Sequence, residues 1–313
     1  MTTDKGYQLI FDPSAPEPAR LEALQMQPRA DAAEPHTYQY TDSIVLAVNV
    51  ALVTGRPLLL RGAPGSGKST LAASVAWRLG CRYYSEVITS RTQARDLLWR
   101  YDQVRRLNDA QVGRLQQDAA YVEPGVLWWA FDPASASHRG APEGTVSPMK
   151  DPSPEAKHTL AVVLLDEIDK ADPDVPNDLL VPLGAREFTV GETGTEVKSH
   201  HPLLVVITTN DERELPAAFQ RRCVMLELPE PDEKQLVHIA QAHFGSREDA
   251  LYADLAGRVM SMRQEARARR ERGPSTPEYL DALRAARSLE LESQPADALW
   301  QQLVEMTLRK RSV

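Results

Sequence analysis

Two short stretches hold residue types whose spacing could do chemistry. The first is GAPGSGKST, residues 62–70. It fits G-x-x-x-x-G-K-[ST] through Gly62, Gly67, Lys68 and Ser69. It lies between a wholly apolar run, RPLLLRG (56–62), and a helical pattern, STLAASVAWRLG (69–80). Glycines let backbone N–H groups turn inward around phosphate oxygens, so Gly62, Ala63, Pro64, Gly65, Ser66, Gly67, Lys68, Ser69 and Thr70 form a candidate phosphate cradle. The start of a helix adds its partial positive charge. Lys68 would neutralise β and γ phosphates, and Ser69 would offer its hydroxyl to Mg²⁺. The plain alternative is a glycine-rich turn between strand and helix.

The second stretch is VVLLDEIDK, residues 162–170. An apolar strand ends there in Asp166–Glu167, and ligands of open α/β sheets bind at the carboxyl ends of strands. Asp166 can hold the hydration shell of Mg²⁺. Glu167 can orient and deprotonate a water for attack on a γ-phosphate. Asp169 and Lys170 start the following segment. An acidic pair after a strand can also be an ordinary solvated loop, and only the phosphate loop upstream favours the chemical reading.

These residues need a sheet to position them. LLVVITT (203–209), like AVVLLDE (161–167), is uniformly apolar and rich in β-branched residues. Such strands are buried on both faces, as in a parallel sheet covered by helices. YYSEVIT (83–89) and CVMLELP (223–229) read as further strands. TDSIVLAVNVALVTG (41–55) reads as a helix with Thr41 or Asp42 as N-cap and Gly55 as its stop. The alternation predicts an α/β fold: a P-loop parallel sheet flanked by helices, with a small all-helical lid domain.

The expected organisation is an N-terminal arm over 1–36, a nucleotide-binding domain over 37–230 and a helical domain over 231–313. YQLIF (7–11) suggests a short strand in the arm. An insert over about 91–160 separates the second and third strands. Within it, residues 91–111 are helical in pattern, 123–133 look strand-like and aromatic, and 134–158 look like an exposed, mobile loop. Trp99, Trp128 and Trp129 suggest a small apolar knot there; a loop that grips substrate is the alternative. In the last domain the expected apolar faces are Leu255, Val259 and Met262, then Leu280, Leu283 and Ala286, then Leu299, Leu303 and Met306.

Bulk properties narrow the class. The chain has 313 residues, 42% of them hydrophobic, and a formal net charge of −8. A negative chain argues against nucleic acid as its partner. Cys81 and Cys223 are its only cysteines, which suggests reduced core thiols. The opening residues lack the pattern of a signal peptide, and no apolar run approaches the length of a membrane span, so the expected location is the cytoplasm.

The phosphate loop and the Asp166–Glu167 pair, in this order, resemble the AAA+ ATPases. The tip of the strand ending in ITTN (207–210) fits what that superfamily calls sensor 1, which implies that Asn210 hydrogen-bonds the attacking water or the γ-phosphate. TSRTQARDLLWRYD (89–102), YVEPGVLWWAF (121–131) and DEIDKADPDVPNDLLVPLGAREFTV (166–190) resemble MoxR-type members over roughly residues 38–290. That resemblance implies ATP and Mg²⁺ as cofactors. It also implies a homo-oligomer, a hexameric ring, that remodels a protein partner, often of von Willebrand factor A type; some relatives serve bacterial defence. AAFQRRC (217–223) matches the helix end that faces the neighbouring subunit's nucleotide in AAA+ rings. Arg222, just before the next strand, is the expected finger, and Arg221 is second choice. Pairing with surface carboxylates is the alternative for both.

The last domain departs from the family pattern. AAA+ lids often carry an arginine, sensor 2, at the start of the third lid helix, and GPSTPEYLDALRAAR (273–287) has none there. Ser275–Glu278 reads as a capping box, or Thr276 as N-cap with Pro277 at the first helical position. Arg284 is not expected to substitute. RQEARARRER (263–272) reads as a solvated helix face. Two other functions stay open: a nucleotide-gated regulatory module, and a DNA-directed loader, which the net charge disfavours.

Overall fold

The protein is described by a computed structural model over residues 10–14, 35–153, 159–289 and 298–309. The strands along the chain are β1 (Leu58–Arg61), β2 (Arg82–Val87), β3 (Trp99–Tyr101), β4 (Val122–Pro124), β5 (Ala161–Asp166), β6 (Glu187–Thr189), β7 (Glu196–Lys198), β8 (Leu203–Thr209) and β9 (Val224–Glu227). Five of them make the central sheet, in the order β2-β5-β8-β1-β9. The pairs β2–β5, β5–β8 and β8–β1 are parallel. Every residue of β8 is buried, and so is every residue of β5 except Asp166. This is the both-faces burial that the uniform Val, Leu and Ile runs require.

Two compact units emerge. One comprises residues 10–14, 40–61 and 72–226; the other comprises 35–39, 62–71, 227–289 and 298–309. In the first unit the helix α1 (Asp42–Thr54) is capped by Thr41, whose Oγ1 accepts from the Ile44 N–H, and is closed by Gly55 at φ 67°. The helix α2 (Lys68–Leu79) follows the phosphate loop. Ile10 and Phe11 do not form the expected strand. The buried Asn49 amide accepts both of their N–H groups at 2.7 and 2.9 Å and donates to the Phe11 carbonyl at 2.8 Å. A side chain thus takes the place of a neighbouring strand. Residues 7–9 and most of the expected arm lie outside the described residues.

The insert differs from its sequence pattern. Residues 91–111 are a 3₁₀ turn, β3 and a helix at Gln103–Gln111, and β3 pairs antiparallel with β4. The strand-like aromatic piece is a short helix, Val126–Phe131. Six apolar residues with no polar break carry no period, so burial decides the outcome. Trp128 and Phe131 are fully buried. Trp99 stacks on Phe188 of β6 at 5.7 Å, and Trp128 meets Phe188 edge-on at 5.9 Å. The segment expected as a loose loop begins with a helical turn, Pro133–Ser137, and its described residues are tied back by several hydrogen bonds. Ser137 Oγ donates to the Met149 carbonyl, and the Tyr83 N–H donates to Ser153 Oγ.

The second unit holds the helices Glu233–Phe244, Asp249–Arg269, Thr276–Ser288 and Ala298–Leu308. Tyr252, Leu255, Val259, Tyr279, Leu283 and Trp300 fill its core. In the last helix Leu303 is buried as expected, but Trp300 and Leu308 are buried in place of Leu299 and Met306, which are exposed. Adjacent apolar residues at 299 and 300 compete for the core, and the larger ring wins it. Cys81 and Cys223 are free and buried, as expected of reduced thiols. Among the described residues no helix is long and apolar enough to cross a membrane.

Candidate functional site

The loop after β1 is shaped by its glycines. Gly62, Gly65 and Gly67 have φ of 146°, 82° and 90°. Pro64 and Gly65 form the middle of a turn closed by the Ser66 N–H to the Ala63 carbonyl at 3.2 Å. Proline followed by a positive-φ glycine is the pattern of a type II turn. The backbone is also crowded. A Cβ at Gly62 would strike the Leu228 carbonyl, one at Gly65 would sit 2.6 Å from Ser275 Cβ, and one at Gly67 would sit 3.2 Å from Tyr38 Cε2. Lys68 opens α2 and is buried, and its ammonium donates to the Gly62 and Ala63 carbonyls at 2.6 and 3.0 Å. Ser69 and Thr70 follow in the first turn, where N–H groups lack intrahelical acceptors. Ser66 Oγ is buried with no hydrogen-bond partner among the described residues. An orphaned hydroxyl, crowded glycines and a helix start with a buried lysine suit an anionic ligand such as a nucleotide phosphate.

The acidic pair lies in the other unit. Asp166 ends β5, and its neighbour β8 carries Thr208, buried and one residue from that strand's end. Thr208 Oγ1 donates to Asp166 Oδ1 at 2.5 Å and accepts from the Glu167 N–H at 2.9 Å. One hydroxyl therefore fixes both acids. Glu167 sits at φ 63°, ψ 47°, a left-handed conformation that a non-glycine residue adopts at a cost of about 1–3 kcal/mol. Such strain persists where surrounding bonds over-determine it, and it concentrates at functional sites.

Both Glu167 oxygens are engaged. Oε2 pairs with Lys170 Nζ at 3.1 Å, and Oε1 accepts from Asn210 Nδ2 at 3.4 Å. The hydrogen bond to Glu167, and then its charge, raises the Lys170 pKa above the ordinary lysine value. Asn210 follows β8 directly. Its N–H and that of Glu212 both donate to Asp169 Oδ2, at 3.1 and 2.9 Å. Asp169 is buried. It thus holds the turn carrying Asn210, a larger role than starting the segment after the acids. Asp211, next in the chain, pairs with Arg61 at 3.0 Å. Arg61 is the last residue of β1, in register with Thr209, and the phosphate loop begins one residue later. The signal for Thr208 was present in the sequence as two hydroxyls ending an otherwise apolar strand.

Arg221 and Arg222 follow the short helix Ala217–Gln220, just before Cys223 and β9. Both are exposed, and among the described residues neither guanidinium forms an ion pair. Their backbone is fixed from beneath. Arg56 donates to the carbonyls of Arg221, Arg222 (3.1 Å) and Cys223 (2.9 Å). The third lid helix is N-capped by Ser275 in a capping box with Glu278, as the spacing predicts. Arg284 is exposed and pairs with Asp281 at 2.7 Å.

A family profile described as AAA domain (dynein-related subfamily) matches residues 57–223. That span contains the phosphate loop, Asp166, Glu167, Asn210, Arg221 and Arg222, and it exceeds half of the 313 residues. No curated protein matches the chain. The chain belongs to the AAA domain family, dynein-related subfamily.

Proposed function

We propose that the protein is an Mg²⁺-dependent ATPase of MoxR type that forms a homo-oligomeric ring, a hexamer, and remodels or activates a protein partner, with a von Willebrand factor A-type protein as the leading candidate. The observation that carries this reading is the Asp166–Thr208–Glu167 arrangement, with Asn210 on the neighbouring strand end. It pairs a carboxylate held by a buried hydroxyl with a separate carboxylate on a left-handed residue bonded to Asn210, which supports a metal-holding role for Asp166 and a base role for Glu167.

The residues divide the work as follows. Lys68 and the N–H groups of residues 62–70 hold the phosphates. Ser69 and Asp166 would hold Mg²⁺, which would offset phosphate charge when bound. Glu167 accepts a proton from the water that attacks the γ-phosphorus; the new P–O bond forms as the β–γ bridging bond breaks and ADP leaves. A carboxylate engaged on both oxygens is a poor base. Turnover therefore requires Lys170 or Asn210 to release Glu167. Arg222, with Arg221 beside it, would offset phosphoryl charge at a neighbouring subunit's site.

The test is ATP turnover by two variants. Lys68→Ala should lose nucleotide binding. Glu167→Gln should keep ATP and lose hydrolysis by about 10²–10⁴-fold, the range for a positioned acid–base group. Turnover that survives both changes contradicts the reading.

A second reading, a nucleotide-gated regulatory module, is favoured by one feature. Ser275 stands at the start of the third lid helix, where many relatives carry a phosphate-reading arginine. Downstream output from ATP-loaded Glu167→Gln protein would support it.

A further inference from the structure

Arg263 opens the charge run RQEARARRER, yet it is only 3% exposed, unlike a solvated helix face. It lies on the buried stripe of its helix, with Tyr252, Leu255, Ala256, Val259 and Ala266. Its guanidinium reaches two backbone carbonyls that are far apart in sequence. Nε donates to the Pro274 carbonyl at 2.8 Å, and Nη1 donates to the Pro231 carbonyl at 2.7 Å. Each proline immediately precedes the N-cap of a lid helix: Asp232 caps Glu233–Phe244, and Ser275 caps Thr276–Ser288. Both caps are closed by capping boxes. A single planar fork therefore fixes the entry of two helices, a geometry that a lysine cannot reproduce.

Both anchored segments touch the phosphate loop. Leu228, three residues before Pro231, presents its carbonyl to Gly62, and Ser275, directly after Pro274, packs against Gly65. Residue 273 must be small for the chain to pass over the arginine, because a Cβ at Gly273 would lie 2.9 Å from Arg263 Cα. Glu230 stays near, 4.0 Å from Nε, while Arg267 holds its other oxygen at 2.8 Å.

We infer that Arg263 is a positioning residue for nucleotide binding: it clamps the two lid segments that brace Gly62 and Gly65, so that lid packing and the shape of the phosphate loop are coupled. The inference rests on the ATPase reading. Arg263 touches no reacting atom, so its loss should weaken ATP binding and spare the chemical step. Loss of buried charged hydrogen bonds on this scale corresponds to a rise of about tenfold in the KM for ATP.

The experiment uses the full chain with Mg·ATP and steady-state phosphate release, checked by ATP binding in the Glu167→Gln background. Arg263→Met should raise KM by about tenfold with kcat within about twofold of the unaltered protein. Gly273→Ala, which displaces the same segment without removing a buried charge, should do the same and covers the case in which Arg263→Met fails to fold. Leu303→Ala is the control: it loosens the lid core from the last helix, without altering either anchored segment's own residues, and should leave KM within about twofold. An unchanged KM in both Arg263→Met and Gly273→Ala overturns the inference, as does an equal rise in Leu303→Ala. Absence of ATP binding in the unaltered chain overturns the ATPase reading itself, and the inference with it.

Discussion

At the scale of single residues, one hydroxyl holds both acids in place. Thr208 is the shared partner of Asp166 and the Glu167 N–H, and it holds Glu167 in its left-handed conformation. Thr208→Val keeps the shape and removes both bonds. It should cost about 1–3 kcal/mol of stability, because it leaves a buried N–H and a carboxylate oxygen short of a partner. It should also lower kcat by about tenfold or more with little change in KM, since the positions of the acids matter most in the transition state. Thermal unfolding and steady-state kinetics check the two parts separately. The places of Lys68, Asp166, Glu167 and Asn210 at helix and strand ends were legible, because the apolar runs beside them mark where those elements stop and start. The bonds made by Thr208, Asp169 and Arg56 were not, because their partners are distant in sequence, although the two hydroxyls that end the apolar run of β8 were visible. Arg263 was legible in one respect only. It continues the apolar stripe 252, 255, 256, 259 at helical spacing, but its charge suggested a solvated face.

At the scale of elements, β5 and β8 were readable because burial on both faces leaves only one kind of sequence. Edge strands were harder. β9 alternates half-buried and exposed residues although Val224–Leu226 is an unbroken apolar run, so burial there does not follow from residue type. The helix at Val126–Phe131 was misread because apolar residues all round it erase its period. Its reason for existing is tertiary: it carries Trp128 and Phe131 into a knot closed by Phe188. Phe188 therefore links the β6–β7 hairpin to the insert. Phe188→Ala should destabilise the protein by roughly 3 kcal/mol, the low end for an aromatic truncation because the ring is only partly buried. Hydrogen exchange should rise together over residues 99–101 and 187–198. A rise confined to 187–198 would show that the β6–β7 hairpin is independent of the β3–β4 pair.

At the scale of the whole molecule, the family membership and the two exposed arginines raise one question: whether a subunit can work alone. Arg221 and Arg222 sit on backbone fixed by Arg56, and neither guanidinium is engaged in an ion pair among the described residues. That is the condition expected of a group offered to a neighbour. The net charge of −8 keeps non-specific contacts weak, so the proposed assembly would need specific surfaces. The proposed ring rests on resemblance alone, because an interface between copies would leave no period within one chain. The central claim is that ATP is hydrolysed at a site completed by the arginine of the next subunit. Its most direct test is ATP turnover in a titration of Arg222→Ala subunits against Lys68→Ala subunits. Each variant alone should be nearly inactive, and mixing should restore part of the activity, because intact arginines then meet intact phosphate loops at some interfaces. An isolated monomer with full activity, and no restoration on mixing, would contradict the claim.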